Sequence, residues 1–452
     1  MVAGPFLFGC RGMSRLQNAG LILAAASLLL APAWWNGYPF IFWDSGDYLR
    51  ASLAGELVVY RDPVYGLLTA PLHGGVSLWG VAIGQSLLAA WLLFETCRQF
   101  RPAGKAYLGI VAALALGSSL PWFSAQVMPD LMGALAVLLV FLLGFGEIGA
   151  AKRGLFILLL AAMLACHLSF LPLGLALLAI LALLRRPARG VIAALALAPL
   201  LILSANLSLG GPAKLSQTSH AFLLARLVQD GLAKKTLDRL CPDPELTLCA
   251  LRDELPASAN DFLWGDSQAF ALVGGWLDSK AEAEKIIAAS VRLFPVEHLK
   301  IAAQLSLKQL TSFATADGME SQAEPWGVIA AFFPGDLAAY SGARQQTGRL
   351  PIGAINLLHR PLAAMSLLLL PVFALLAWRR GDFKAAGLLL LIGGALLANA
   401  AICGILSNPN DRYQSRMVWL AIFAVALAAS KAMKQPESFE MEKKLAQYYP
   451  GQ

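Results

Sequence analysis

The chain has 452 residues, of which 58% are hydrophobic and only 14% are charged, and its mean hydropathy is +0.63. An average soluble domain carries about 25% charged residues, so this chain lacks the charge that would coat the cores of a soluble enzyme. The net charge of +7 does not indicate nucleic acid as a partner, because membrane proteins collect Lys and Arg on their cytoplasmic side. The composition predicts an all-α polytopic membrane protein in a lipid bilayer.

Apolar residues fall in blocks long enough to cross a bilayer whose hydrocarbon layer is about 30 Å thick. A first membrane module, residues 1–209, is expected to contain about seven spans, and a second, residues 351–430, about three. The first span ends in Trp34-Trp35, which is typical of a membrane interface rather than of a cleaved signal peptide. The ten predicted transmembrane helices are 16–35, 75–97, 105–121, 129–147, 154–168, 170–184, 190–209, 361–378, 385–406 and 414–430.

The charge of the short loops predicts the orientation. With the N-terminus inside, every second loop contains basic residues, whereas the opposite short loops contain almost none. This asymmetry places both termini in the cytoplasm, with residues 431–452 as a solvated tail, and it suits a bacterial-type inner (plasma) membrane. Four arginines fall on the other side against this trend, and they mark the places where function is expected: Arg50, Arg61, Arg412 and Arg416.

The first outside loop, residues 36–74, contains the densest polar cluster of the chain. Asp44 and Asp47 are three residues apart, so they share one face of a short interfacial helix. Three interpretations are open. A carboxylate at a low-dielectric boundary can act as a general base, and such a pair can hold a divalent cation against a phosphate. Alternatively, Asp44 only caps the helix and Asp47 closes its first turn.

A second interfacial segment follows in the same loop, Tyr60-Arg61-Asp62-Pro63-Val64-Tyr65-Gly66. Arg61 and Tyr65 are candidates for positioning a substrate. The alternative is an Arg61–Asp62 pair that anchors the segment at the membrane surface.

Residues 210–350 are too polar and too many for a connecting loop, and they predict a small helical ectodomain. Apolar spacing indicates helices in Ala221–Leu240 and in Lys285–Phe313. Cys241 and Cys249 lie close together across two prolines on the oxidising side of the membrane, which predicts a disulfide. Metal binding by the pair is the alternative, although no His is near in sequence.

The run Asp44-Ser-Gly-Asp47-Tyr48, followed by Gly55 and Tyr60-Arg-Asp-Pro63, resembles the first outside loop of the GT-C superfamily of membrane glycosyltransferases, of the protein mannosyltransferase and aminoarabinose transferase type. The resemblance gives Asp44 the place of the acidic residue regarded as catalytic in that family, and Tyr48 the place of its tyrosine. Ser45 stands where many members have Glu. The resemblance also implies a second acid at the outer start of a later span, which Asp130 in Pro129-Asp130 matches. The helix dipole alone would also explain this acid.

Two further segments carry cations on the same side. Arg412 and Arg416 are four residues apart at the start of the last span, where two guanidiniums suit a phosphate. Alternatively, Arg412 pairs with Asp411 and Arg416 extends to the interface. Arg349 and His359, before the eighth span, are candidates for the same site.

The resemblance implies transfer of a sugar from a polyprenyl-phosphate donor to a lipid, glycan or protein acceptor at the outer face of the membrane. Asp44 is then the expected base, Asp47 or Asp130 orients the acceptor, and Arg61, Arg412 and Arg416 bind the phosphate. No cofactor is required by the sequence, and a divalent cation stays open. Two alternatives remain. One is an oligosaccharide ligase or polymerase that uses the ectodomain segment with Arg349 and His359, and the other is a lipid transporter or flippase.

Overall fold

The structure is a computed structural model that describes residues 14–100, 104–321 and 324–432. Its regular elements are helices, and the N-terminal module contains ten of them. Two short helices, α2 and α3, lie in residues 36–74, where the sequence predicted interfacial helices, and their position at a membrane interface stays a prediction. The helices of this module are α1 (Arg15–Asn36), α2 (Ser45–Leu53), α3 (Val64–His73), α4 (Trp79–Arg98), α5 (Gly104–Gly117), α6 (Leu120–Ser124), α7 (Asp130–Phe145), α8 (Ala150–Ala165), α9 (Phe170–Leu183) and α10 (Arg189–Ser208).

The rest of the described chain contains twelve further α-helices. The predicted cytoplasmic tail lies, from residue 433 onward, outside the described residues. These helices are α11 (Ser219–Gln229), α12 (Leu232–Leu240), α13 (Ala259–Trp264), α14 (Gln268–Leu272), α15 (Gly275–Asp278), α16 (Lys280–Leu293), α17 (Pro295–Thr311), α18 (Glu324–Phe332), α19 (Leu337–Gly342), α20 (Ile352–Arg379), α21 (Phe383–Leu406) and α22 (Asp411–Ala432).

Each predicted span coincides with one helix of the bundle, and six of these helices are long and apolar enough to cross a membrane: α1, α4, α10, α20, α21 and α22. The chain thus has the architecture of a multi-pass membrane protein. The helices α5, α7, α8 and α9 are shorter, with 14 to 16 residues each. A total of ten spans therefore stays a prediction.

Helix α7 lies at the centre of the bundle. All its residues are buried, and α4, α8, α9, α21 and α22 pack around it. A helix that is apolar on every side is stable only when other helices surround it. Because α7 begins with Asp130, this central position buries a carboxylate inside the bundle.

The predicted ectodomain contains a separate hydrophobic core between residues 221 and 286, formed by α11–α16 and the segments between them. The two stretches in which the sequence predicted helices are helical, and each contains a break. Gly231, with a left-handed φ of 71°, separates α11 from α12, and Pro295 begins α17 directly after α16. Apolar residues recur at helical spacing on both sides of each break, and only a single glycine or proline marks the boundary. Periodicity therefore does not show where one helix ends and the next begins.

Residues 312–350 do not join that core. Ile329, Phe333 and Tyr340 pack against Tyr38 and Leu49 in the first outside loop and its neighbours. The polar segment 210–350 therefore contributes one compact unit and one stretch that covers the membrane module. The disulfide between Cys241 and Cys249 is present, with a Cα–Cα distance of 5.7 Å, as the sequence predicted.

Candidate functional site

The segment before α2 is fixed to the segment before α7 by hydrogen bonds. The backbone NH of Phe40 donates to the carbonyl of Ala125 (3.0 Å), and Val127 NH donates to Phe40 (2.9 Å). Ser45 Oγ donates to the carbonyl of Val127 at 2.8 Å. Ser45 thus ties the Asp44 loop to the start of α7.

Asp44 precedes α2 but does not cap it, since its side chain makes no capping hydrogen bond. Its Oδ1 instead accepts a hydrogen bond from Arg61 Nη2, and Arg61 Nε lies 3.7 Å from Asp47 Oδ2. The capping interpretation of Asp44 is therefore wrong. The Arg61–Asp62 anchor is also not formed, because the carboxylate of Asp62 accepts from the backbone NH of Leu168 (2.7 Å).

Helix α22 brings its two arginines to the same place. Arg416 Nη1 donates to Asp130 Oδ1 at 3.1 Å, and both residues are buried. Arg412 lies between two acids: its Nη2 is 3.9 Å from Asp44 Oδ2, and its Nε is 4.0 Å from Asp130 Oδ1. The alternative pairing of Arg412 with Asp411 is wrong, because Asp411 Oδ1 accepts instead from the NH of Ala314.

Neighbouring side chains orient the two guanidiniums. Asn399 of α21 accepts from Arg416 Nη2 (3.2 Å) and donates to the carbonyl of Tyr413 (2.7 Å). Arg412 stacks on Phe42, with its Cζ 3.9 Å from the ring centroid. Such stacking holds a guanidinium in place without using its hydrogen-bond donors. Arg416 is too deeply buried to extend to the membrane interface, so that alternative is also wrong.

The cluster leaves donors unused. Within the described residues, Arg61 Nε, Arg412 Nη1 and Arg416 Nε are buried and make no hydrogen bond. A buried donor of a charged group without a partner costs stability, and folded proteins rarely retain one without a reason. Unused donors on three arginines of one charge cluster suit an anion with several oxygens.

Two adjoining cavities open beside this cluster. One has a volume of about 400 Å³ and an apolar lining that includes Leu168, Pro172 and Ile402, with Arg416 and Arg61 at its polar wall. The other has a volume of about 640 Å³ and contains Asp44, Asp47 and Arg412. Both are bordered by Tyr60, Arg61, Phe222, Leu406, Ser407 and Tyr413.

The remaining predicted residues divide into two groups. Tyr48 lines the smaller cavity beneath Arg61, and Tyr65 packs edge-on against Tyr48 and donates to Gln85 (3.0 Å) behind it. Arg349 and His359 stand apart from the cluster. Arg349 is exposed and donates to Thr347, whereas His359 is buried between Thr315 and the carbonyl of Leu116.

The cavity walls also contain functional groups that were not among the predicted site residues. Asp62 and His167 line the smaller cavity, and burial raises the pKa of Asp62 to about 7. Arg226 and Trp264 of the ectodomain line the larger one. His167 had a signal in the sequence, as a lone polar ring in a short turn between two apolar helices. Arg226 had none, because its position depends on how α11 docks on the loop before α22, where it donates to the carbonyl of Ser407 (2.7 Å).

The acids of the cluster face arginines. In the part of the chain that the structure describes, no group of three or more His, Cys, Asp or Glu residues is arranged to hold a metal ion. The pair Asp44 and Asp47 shares Arg61 as its cation.

No protein-family model, no curated protein sequence and no solved structure matches this chain. The resemblance to the GT-C superfamily accordingly stays a prediction. Only the residues of the cavities indicate which chemistry they support.

Proposed function

We propose that the protein is a GT-C-like membrane glycosyltransferase that moves a sugar from a polyprenyl-phosphate donor to an acceptor at the outer face of a plasma membrane. The observation that carries the proposal is the guanidinium of Arg412. It is buried and stacked on Phe42, at 3.9 Å from Asp44 and 4.0 Å from Asp130, and its Nη1 makes no hydrogen bond. A phosphate oxygen would complete its hydrogen bonding.

The two cavities suit the two parts of such a reaction. The smaller cavity has apolar walls for the first part of a prenyl chain, and Arg61 and Arg416 at one side for its phosphate. The larger cavity is polar and is bordered by Trp264 of the ectodomain, which suits a sugar and an acceptor. Arg61 and Tyr413 belong to both linings, so the bond to be broken would lie beside them.

The chemistry follows from the charges. Three guanidiniums (Arg61, Arg412, Arg416) face three carboxylates (Asp44, Asp47, Asp130), all within 4.0 Å of a partner. The acceptor oxygen attacks the anomeric carbon while its proton passes to Asp44, and the bond from that carbon to the phosphate oxygen breaks. The arginines stabilise the polyprenyl phosphate that departs, and the proton on Asp44 removes one negative charge from the same cluster.

A binding experiment tests the phosphate site without knowledge of the sugar. The full chain in nanodiscs is titrated with a long-chain polyprenyl monophosphate and, separately, with the uncharged polyprenol. Arg412→Gln should weaken binding of the phosphate by about 10-fold or more, the equivalent of one charge-assisted hydrogen bond, and should leave binding of the polyprenol unchanged. Arg349→Gln is the matched control, and equal losses in both variants would contradict the proposal.

A second experiment tests transfer. A panel of radiolabelled polyprenyl-phosphate hexoses and pentoses is incubated with the chain and with acceptors from a bacterial envelope extract. Asp44→Asn keeps the size of the side chain and removes the base, so labelled product should disappear while binding of polyprenyl phosphate persists. Full transfer by Asp44→Asn would exclude Asp44 as the base.

A further inference from the structure

Helix α17 presents an apolar surface that no other part of the described chain covers. Val296, Leu299, Ala303 and Leu307 recur at helical spacing, so they share one face. Leu299 is 72% exposed and Leu307 is 68% exposed, more than most leucines of the chain. The apolar face of α17, defined by these four residues, needs a partner.

The other side of α17 packs along α21. At Gly404 the two helices approach so closely that a Cβ would lie 2.8 Å from the backbone of Leu305. Just beyond, the side chain of Gln309 donates to the carbonyl of Asn410 (2.8 Å) and accepts from its NH (2.9 Å). The C-terminal end of α17 is thus fixed to the segment that leads into Arg412.

The position of this contact along α21 indicates its depth in a membrane. Asp382 caps the first turn of α21, and the apolar stretch runs from Ala385 to Leu406. At 1.5 Å per residue that stretch is about 33 Å long, which is close to the thickness of the hydrocarbon layer. The close approach at Gly404 is therefore near one edge of the hydrocarbon layer.

The residues around the apolar face are basic. Lys300 and Lys308 are exposed beside it, and Arg292 is exposed at the end of the preceding helix, whereas the acid Glu297 is half-buried. Apolar side chains flanked by lysines are typical of helices that lie in the plane of a membrane interface, where the lysines contact anionic headgroups. Ile405 and Leu406 of α21 are also about half exposed, so the apolar surface continues from α21.

We propose that α17 is an interfacial membrane helix, whose apolar face contacts the acyl chains of the bilayer that α21 crosses. The bilayer, rather than a second protein, is then what covers Leu299 and Leu307. Since Gln309 holds Asn410, the same helix would fix the height of the Arg412 segment above the hydrocarbon layer. This inference does not depend on the proposed sugar transfer.

The test uses the full chain in nanodiscs of phosphatidylcholine and phosphatidylglycerol in equal amounts. Leu299→Cys and Leu307→Cys are each labelled with the fluorophore NBD, and the unsubstituted chain serves as the blank for labelling of native cysteines. Leu277→Cys is the matched control, because Leu277 is 51% exposed in α15 of the ectodomain. Quenching is measured with lipids that carry a doxyl group near the headgroup, and separately with aqueous iodide.

The expected result is a blue-shifted emission at positions 299 and 307, with most of it lost to the doxyl lipid and little to iodide. The label at position 277 should show the reverse. Quenching by iodide at 299 and 307 equal to that at 277 would overturn the proposal. Protection from both quenchers would also overturn it, because protein and not lipid would then cover the face.

Discussion

The cluster around Arg412 and the segment from 344 to 360 both contain arginines with histidine near, and both lie beside the first outside loop. In the segment, several polar side chains bind backbone: Gln345 accepts from the NH (3.1 Å) and donates to the carbonyl (2.6 Å) of Ile41, and Arg344 donates to the carbonyl of Trp35. In the cluster, the guanidiniums face carboxylates and keep unused donors beside a cavity. Side chains that complete backbone hydrogen bonds support a fold, whereas unused donors beside a cavity are available to a ligand.

The largest effect is expected from breaking the buried pair of the cluster. Asp130→Ala leaves Arg416 charged and buried without its carboxylate, which should lower the free energy of unfolding by about 3–5 kcal/mol. Thermal unfolding of the detergent-solubilised chain measures it. Glu56→Ala, which removes the exposed partner of Arg50, is the control and should change stability by less than about 1 kcal/mol. Equal effects would mean that the cluster is not a buried network.

A smaller loss of stability is expected in the segment from 344 to 360. His359→Ala leaves the hydroxyl of Thr315 and the carbonyl of Leu116 without a partner, at a cost of about 1–3 kcal/mol. Binding of polyprenyl phosphate should be unchanged, because His359 lines neither cavity. A selective loss of binding in His359→Ala would instead favour the ligase or polymerase alternative.

The next effect is a dependence of stability on pH, and it is expected from Asp62 in the wall of the smaller cavity. Burial raises the pKa of Asp62 to about 7 in the folded chain, well above its ordinary value of 3.8. The folded state thus retains a proton that the unfolded state releases between pH about 4 and 7, so stability should fall as pH rises through that range and level off above 7. Asp62→Asn should remove this part of the slope. Parallel thermal-unfolding curves of both proteins across this range would contradict it.

The smallest effect is expected at Arg349. It is exposed and hydrogen-bonded only to the nearby Thr347 among the described contacts, so Arg349→Ala should change the free energy of unfolding by less than about 0.5 kcal/mol. The midpoint of thermal unfolding checks it. A loss comparable with that of Asp130→Ala would show that the two segments are not as different as their contacts indicate.

Much of this architecture was predictable from local patterns. Long apolar runs predicted the helices of the bundle, because a helix in lipid must satisfy its backbone internally and present apolar side chains. The disulfide was predictable from the nine residues that contain both cysteines. Apolar spacing predicted helices in Ala221–Leu240 and in Lys285–Phe313, but it did not show that Gly231 and Pro295 divide these stretches.

The charged residues of the cluster were predictable from the sequence, whereas their contacts were not. Asp44 and Asp130 were selected through the resemblance, and Arg412 because it is a cation at the outer end of a span, against the trend of the other loops. Their partners depend on how distant helices meet: Asn399, from the middle of α21, orients Arg416, and Ser45 fixes the Asp44 loop to Val127. Neither contact leaves a periodic or local trace in the sequence.

The amino-acid sequence by itself determined that the chain forms apolar helices for a membrane and gathers exceptional charges at helix ends, since both follow from the transfer of side chains between water and lipid. Only the tertiary structure decided which charges meet. Helix α7 had to be buried at the centre of the bundle before Asp130 could face Arg412 and Arg416. That burial results from packing against helices that include α21 and α22, which are far away along the chain, and no local pattern specifies such contacts.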